Sequence, residues 1–108
     1  MAGRVAWAET AADDLEQVSN YIARDSPRYA AAFVREVLDA ARSLTDLAER
    51  GRIVPEFGDA DIRELLVRSY RLSYHLGPDV VSIIGFIHGA RDLLTLWERE
   101  RRLSPGAE

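Results

Sequence analysis

The 108-residue sequence contains no cysteine and no lysine. Without cysteine there is no disulfide framework and no thiolate for catalysis or metal binding. Without lysine there is no Schiff-base former and no amine to serve as a general base. All fourteen basic residues are therefore arginine, set against eighteen acids for a net charge of -4. A chain that grips nucleic acid through many phosphates usually carries a basic surface, so any such grip here is local. Long apolar runs are also missing. The longest nearly unbroken one, Val80 to Ile87, falls far short of the ~20 residues a membrane helix needs. The N-terminal MAGRVAWAET has no apolar stretch of signal-peptide type. A cytoplasmic location is the expectation. Histidine is scarce: His75 and His88 stand alone, outside HExxH spacing, so neither a metal site nor any other cofactor is expected. Gly85 and Gly89 belong to no phosphate-cradling loop.

What is present reads as one α+β domain over residues 1–108. Arg4 to Trp7 suits a short strand. Thr10, with Asp13 three residues on, predicts a capped helix start, and Leu15, Val18 and Ile22 recur at helical spacing to Arg24. Asp25-Ser26-Pro27 stops one helix and starts another, Ser26 as cap and Pro27 at the first helical position. Ala30, Phe33, Val34, Val37, Leu38, Ala41 and Leu44 then trace one helical face, and Gly51 is a candidate terminator. So short a break predicts an antiparallel helical hairpin. RIVPEFGDAD reads as loop. Strands are expected at 62–67, 70–76 and 80–87, with Ser69 at a tight turn and Gly77-Pro78-Asp79 at the next. Tyr70, Leu72, Tyr74 and Leu76 fall on one side, Arg71, Ser73 and His75 on the other. The 80–87 strand is apolar on both faces and so central. Residues 92–104 suit a C-terminal helix, with 105–108 a frayed tail. The predicted order is β-α-α-β-β-β-(α), the helical hairpin lying on a small, mostly antiparallel sheet.

Chemistry is concentrated in four residues. Arg63, Arg71, His88 and Arg91 can share one exposed sheet face if the strands pair in the register a short turn suggests. Three guanidiniums and an imidazole suit carboxylate or phosphate recognition, and histidine can move a proton near neutral pH. The competing reading makes these arginines ion-pair partners of Glu64, Asp92 and the acids of the 56–61 loop. The aromatics Trp7, Tyr21, Tyr29 and Phe33 likewise have two readings: the wall of a groove for a partner helix, or core.

The strings AWAETAADDLEQVSNYIARDSPRYAAAFVREV, GRIVPEF, IRELLVRSYRLSYHL and VSIIGFIHGARDL, in that order, resemble the RelE/ParE toxin superfamily of type II toxin–antitoxin systems. The resemblance runs from about Val5 to Leu94. It implies a small cytoplasmic toxin, neutralised by a cognate antitoxin whose C-terminal segment wraps it in a hetero-oligomer. No membrane and no small-molecule substrate are implied. The chain resembles the ParE branch more closely, because it lacks the lysines of many RelE-like nucleases, is acidic overall, and closes its last strand with HGARDL. That implies a DNA gyrase inhibitor acting by binding. Target contacts are then expected at Arg63, Arg71, His88 and Arg91, and antitoxin contacts at Trp7, Tyr21, Tyr29 and Phe33. The alternative is a RelE-like, ribosome-dependent messenger RNA endoribonuclease using the same four sheet residues. A third reading is an inactive binding module of the same fold.

Overall fold

The computed structural model describes residues 4–89, so Arg91, the expected helix at 92–104 and the tail lie outside the described residues. Strand β1 (Arg4–Trp7) leads into helix α1 (Glu9–Ala23) and helix α2 (Pro27–Arg42); β2 (Arg52–Ile53), β3 (Ile62–Val67), β4 (Tyr70–Leu76) and β5 (Val80–His88) follow. The sheet order is β1-β5-β4-β3-β2. Among the described residues only β1 and β5 run parallel; the other three pairings are antiparallel.

The second helix begins as its sequence dictates. Ser26 is extended, its hydroxyl accepts the Tyr29 N–H at 3.1 Å, and Pro27 occupies the first turn. The first helix begins differently from the Thr10 cap expected. Ala8 is the cap residue and contributes no side-chain bond. Its N–H donates to the Ile83 carbonyl at 2.9 Å, while its own carbonyl accepts from Ala12. The β1–β5 pairing thus runs straight into the first helical turn and leaves no room for a separate cap. The end of α2 also departs from expectation. The helix stops at Arg42 and a 3₁₀ turn covers Ser43–Thr45. The Ser43 hydroxyl donates to the Ala40 carbonyl at 2.6 Å, a local bond that competes with helix continuation. Gly51 is therefore no helix terminator. Within the expected 52–61 loop, Arg52 and Ile53 pair with Glu64 and Arg63 as a short edge strand.

One sheet face carries the core. Ala11, Leu15, Phe33, Val37, Ala41 and Leu44 of the helical layer meet Leu65, Val67, Leu72, Tyr74, Val81, Ile83 and Phe86 of the sheet. A bulge makes this possible on β5. Ser73 opposes Gly85 and Tyr74 opposes Ile83, so Ile84 is the extra residue and both Ile83 and Phe86 reach the helices. Phe33, Tyr70 and Phe86 form an aromatic group with centroids 5.1–6.0 Å apart. The opposite face carries a smaller apolar cluster of Val54 and Ile87 with Phe57 and Ile62. It is formed where the 54–61 loop folds back onto the sheet.

Candidate functional site

The strand register separates the residues expected to act together. The two-residue turn at Arg68–Ser69 joins β3 to β4, with Arg63 opposite Tyr74 and Leu66 opposite Arg71. Residues directly opposite share a face. Arg63 therefore stands on the helix side and Arg71 on the far side. His88 opposes Tyr70, whose ring packs on Phe33 and Phe86, so His88 too is on the helix side. Along β4 it sits four residues from Arg63, roughly 13 Å at strand spacing. The shared face expected for Arg63, Arg71 and His88 is not there. Arg91 lies outside the described residues.

Each of these side chains has local work. Arg63 donates to three carbonyls, those of Ala60 at 3.0 Å, Gly51 at 3.1 Å and Glu49 at 3.2 Å. It stitches together the loops on either side of β2. His88 is exposed and meets the Tyr70 ring edge-on at 5.4 Å.

Arg71 is buried in a network of acids. Its Nη1 and Nη2 donate to the two oxygens of Glu56 at 2.8 and 2.7 Å, a bidentate fork, and its Nε donates to Glu64 at 2.7 Å. Arg52 completes the chain through Nε to the other Glu64 oxygen at 2.6 Å. Glu64 has no exposed side-chain surface. A carboxylate so placed is tolerable only when both oxygens are matched by charged donors. The Glu56 hydrogen bond pushes the Arg71 guanidinium further above its ordinary value than burial pulls it down, with Glu64 adding to the rise. Arg71 therefore stays charged at every pH the fold survives. The ion-pair reading of this arginine is the one the structure realises. Beside it, Ser73 is 1% exposed, and its hydroxyl has no hydrogen-bond partner among the described residues.

The helix-side face has a polar anchor that the strand pattern did not single out. The Tyr74 hydroxyl accepts the Gly51 N–H at 3.0 Å and donates to the Ala48 carbonyl at 2.8 Å. Burial pushes this phenol above its usual value, against the opposing pull of the Gly51 N–H. A β-carbon on Gly51 would lie 2.5 Å from the Tyr74 oxygen and 2.7 Å from the Glu64 carbonyl, which is why the position is glycine. The signal available in sequence was a tyrosine on the apolar side of β4. Such a ring needs a partner for its hydroxyl when buried.

The four aromatics expected at a partner surface divide. Phe33 is 1% exposed and belongs to the core, so it forms no part of an exposed wall. Trp7 is partly buried against the same core. Tyr21 and Tyr29 are exposed, and each has a guanidinium near its ring face, Arg24 at 5.8 Å and Arg68 at 5.5 Å. Arg68 occupies the tight turn with φ of 56°, unusual for a side-chain-bearing residue, and bonds Glu36 of α2 at 2.9 Å. Among the described residues, no group of three histidine or acidic side chains could hold a metal ion. No helix among them is long and apolar enough to cross a membrane.

Among the described residues, two helices on one face of a five-stranded mixed sheet, with one parallel pairing at β1–β5, make a small α+β fold. A structure of a chromosomal ParDE toxin–antitoxin system from P. aeruginosa shares it. The TM-score is 0.66 and identity 19%, covering 82% of this chain and 96% of that one. The family model for the ParE toxin of the type II toxin–antitoxin system parDE matches residues 5–93. A toxin of Caulobacter vibrioides, RelE2, is 34% identical over 89 residues, 82% of this chain and 97% of that protein. The chain belongs to the ParE toxin family, within the RelE/ParE superfamily of type II toxin–antitoxin systems. Membership implies a cognate antitoxin as partner.

Proposed function

We propose that this chain is a cytoplasmic ParE-type toxin that inhibits DNA gyrase by binding, without turning over a substrate. The observation that carries this reading is the commitment of Arg71. Its guanidinium already serves Glu56 and Glu64, and Arg63 is spent on loop carbonyls. A site that cleaves a phosphodiester needs cations aimed at the charge that develops in the transition state. Two of the expected cations instead face protein groups, on opposite sides of the sheet. The overall charge of -4 also opposes docking into ribosomal RNA. The messenger RNA endoribonuclease is the second reading, favoured by the 34% identity to a protein named RelE2 and by the exposed His88 beside Tyr70.

The antitoxin is proposed to cover the outer surface of the helical hairpin, where Tyr21 and Tyr29 stand exposed. It is also proposed to extend along β1, the edge strand of the sheet among the described residues. A cleft of about 300 Å³ lies beside that edge, floored by Val5, Trp7, Leu38 and Ala41 and rimmed by Arg4 and Arg42. Strand addition with apolar side chains entering such a cleft is a general mode of peptide recognition.

Tightly controlled expression tests the target. Growth arrest with a DNA-damage response and intact transcripts is expected. Cleavage of translated messages would establish the nuclease instead and make His88→Ala the decisive variant. Normal growth with antitoxin binding retained would leave an inactive module.

A further inference from the structure

Outside the surfaces proposed for the antitoxin lies a cleft of about 700 Å³, between the segment that follows the helices and the β4–β5 turn. Residues 46–50 form one wall; Asp61 and the turn at 76–78 form the other. It shares no residue with the cleft beside β1. Both walls are pinned by hydrogen bonds. The Tyr74 hydroxyl donates to the Ala48 carbonyl at 2.8 Å and Arg63 to that of Glu49 at 3.2 Å. The Arg50 N–H donates to the Leu47 carbonyl at 3.1 Å. In the other wall, the Leu76 N–H donates to the Asp61 carbonyl at 2.8 Å and the Gly77 N–H to the Val80 carbonyl at 3.0 Å. The cleft is thus formed before any partner arrives, and its volume is within the ~300–1,000 Å³ usual for ligand sites.

Two kinds of side chain line it. Leu47, Ala48, Leu76 and Pro78 are apolar, and Leu47 is 59% exposed. Asp46, Glu49 and Asp61 add three carboxylates. None of the three has an ion pair or a side-chain hydrogen bond among the described residues. One cation, Arg50, lines the cleft, and its Nη1 already donates to the Ser43 hydroxyl at 2.7 Å. The rim is therefore negative over an apolar lining, and its acids form no group that could hold a metal ion. A long cationic side chain satisfies both features: its stem covers apolar surface while its head reaches a carboxylate. We propose that this cleft receives a segment of a partner protein in which an arginine or lysine stands next to an apolar residue. The cation sits among Asp46, Glu49 and Asp61, and its apolar neighbour covers Leu47. The same carboxylates repel nucleic acid and acidic protein surfaces, so the charge selects the partner.

The test titrates the full chain with a capped hexapeptide of alternating leucine and arginine, at constant ionic strength, following the NMR methyl resonances of Leu47 and Leu76. Saturable shifts are expected with this peptide and none with its leucine–glutamate counterpart. The triple variant Asp46→Asn, Glu49→Gln, Asp61→Asn should raise the half-saturation at least about threefold. Leu47→Ala keeps every charge and should raise it at least about twofold. All four side chains are exposed, so the variants keep the fold, which unshifted Phe33 and Phe86 resonances check. Equal response to the two peptides overturns the proposal, as does an unchanged half-saturation in the triple variant. A Leu47→Ala protein that binds as well as the unaltered one reduces the effect to diffuse attraction and sinks it too. Shifts of the same resonances on concentrating the protein alone would give the cleft to a second copy of this chain, against the proposal. Gyrase inhibition is scored separately, so either conclusion can fail alone.

Discussion

The two faces of one sheet solve the burial problem in opposite ways. Towards the helices, β3, β4 and β5 bury aliphatic and aromatic side chains that need no partner except for the Tyr74 hydroxyl. Away from the helices, the same strands bury Glu64, Arg71 and Ser73. The first face is held by apolar area, which is non-directional and tolerant of repacking. The second is held by four charged groups in an alternating chain, Glu56–Arg71–Glu64–Arg52, beside a small apolar cluster at Val54 and Ile87. Such a chain is secure only while complete. The lesson is that apolar burial supplies stability on one side, whereas on the other the charges supply position, fixing where the 54–61 loop lies.

Single truncations should expose that contrast first. Phe33→Ala should cost about 3–5 kcal/mol by leaving a cavity, and Arg71→Ala about 3–5 kcal/mol by leaving one oxygen of the buried Glu64 unmatched, with the largely exposed Arg52 on the other, both read by urea unfolding. The faces part company in the rescue: Arg71→Met with Glu64→Leu should recover much of the Arg71 loss, because the fully buried carboxylate is removed with its partner. If the double variant is worse than Arg71→Ala, the network contributes more than position. Gly51→Ala, where both layers meet at Tyr74, should cost about 1–3 kcal/mol through overpacking, checked by thermal unfolding.

Tyr74→Phe should cost about 1–2 kcal/mol by orphaning the Gly51 N–H and Ala48 carbonyl. It also has a pH signature. The folded phenol's value is raised above the usual 10.0. As pH climbs past that point the unfolded chain loses its proton first, the native state holds more protons, and stability falls. Below it the contribution is flat. Tyr74→Phe should remove that alkaline decline, measured as urea midpoints from neutral to strongly alkaline pH. At the small end, Ser26→Ala should cost about 1 kcal/mol as a lost helix cap. Glu36→Gln at the exposed Arg68 pair should change stability by no more than about 1 kcal/mol. A larger effect there would mean that surface pairs in this fold behave like the buried network.

Much of the fold was legible. The Ser26-Pro27 restart, the apolar stripe of α2, the β3 and β4 limits and the interior place of β5 all follow from local chemistry and period. The helix starts and stops that were misplaced, at Ala8 and Arg42, were set by neighbours: the carbonyl of Ile83 and the hydroxyl of Ser43. The shared sheet face expected for Arg63 and Arg71 did not form, and that much was readable beforehand. A two-residue turn at Arg68–Ser69 makes every directly opposed pair of numbers in β3 and β4 sum to an odd total, as with Arg63 and Tyr74. Arg63 and Arg71, both odd, can never share a face across it. Other features carried no local signal. Nothing in RIVPEFGDAD says that Glu56 rather than Asp59 or Asp61 would reach Arg71, because that depends on how the loop folds over the sheet.

What the sequence determined by itself was the set of elements and the side of each strand that is apolar, since both are written in spacings of two and 3.6 residues along one segment. What only the tertiary structure decided was which charges meet. Ion pairing depends on distances of a few ångströms between segments far apart in the chain, and those distances exist only once the loop lies on the sheet and the strands have taken their register.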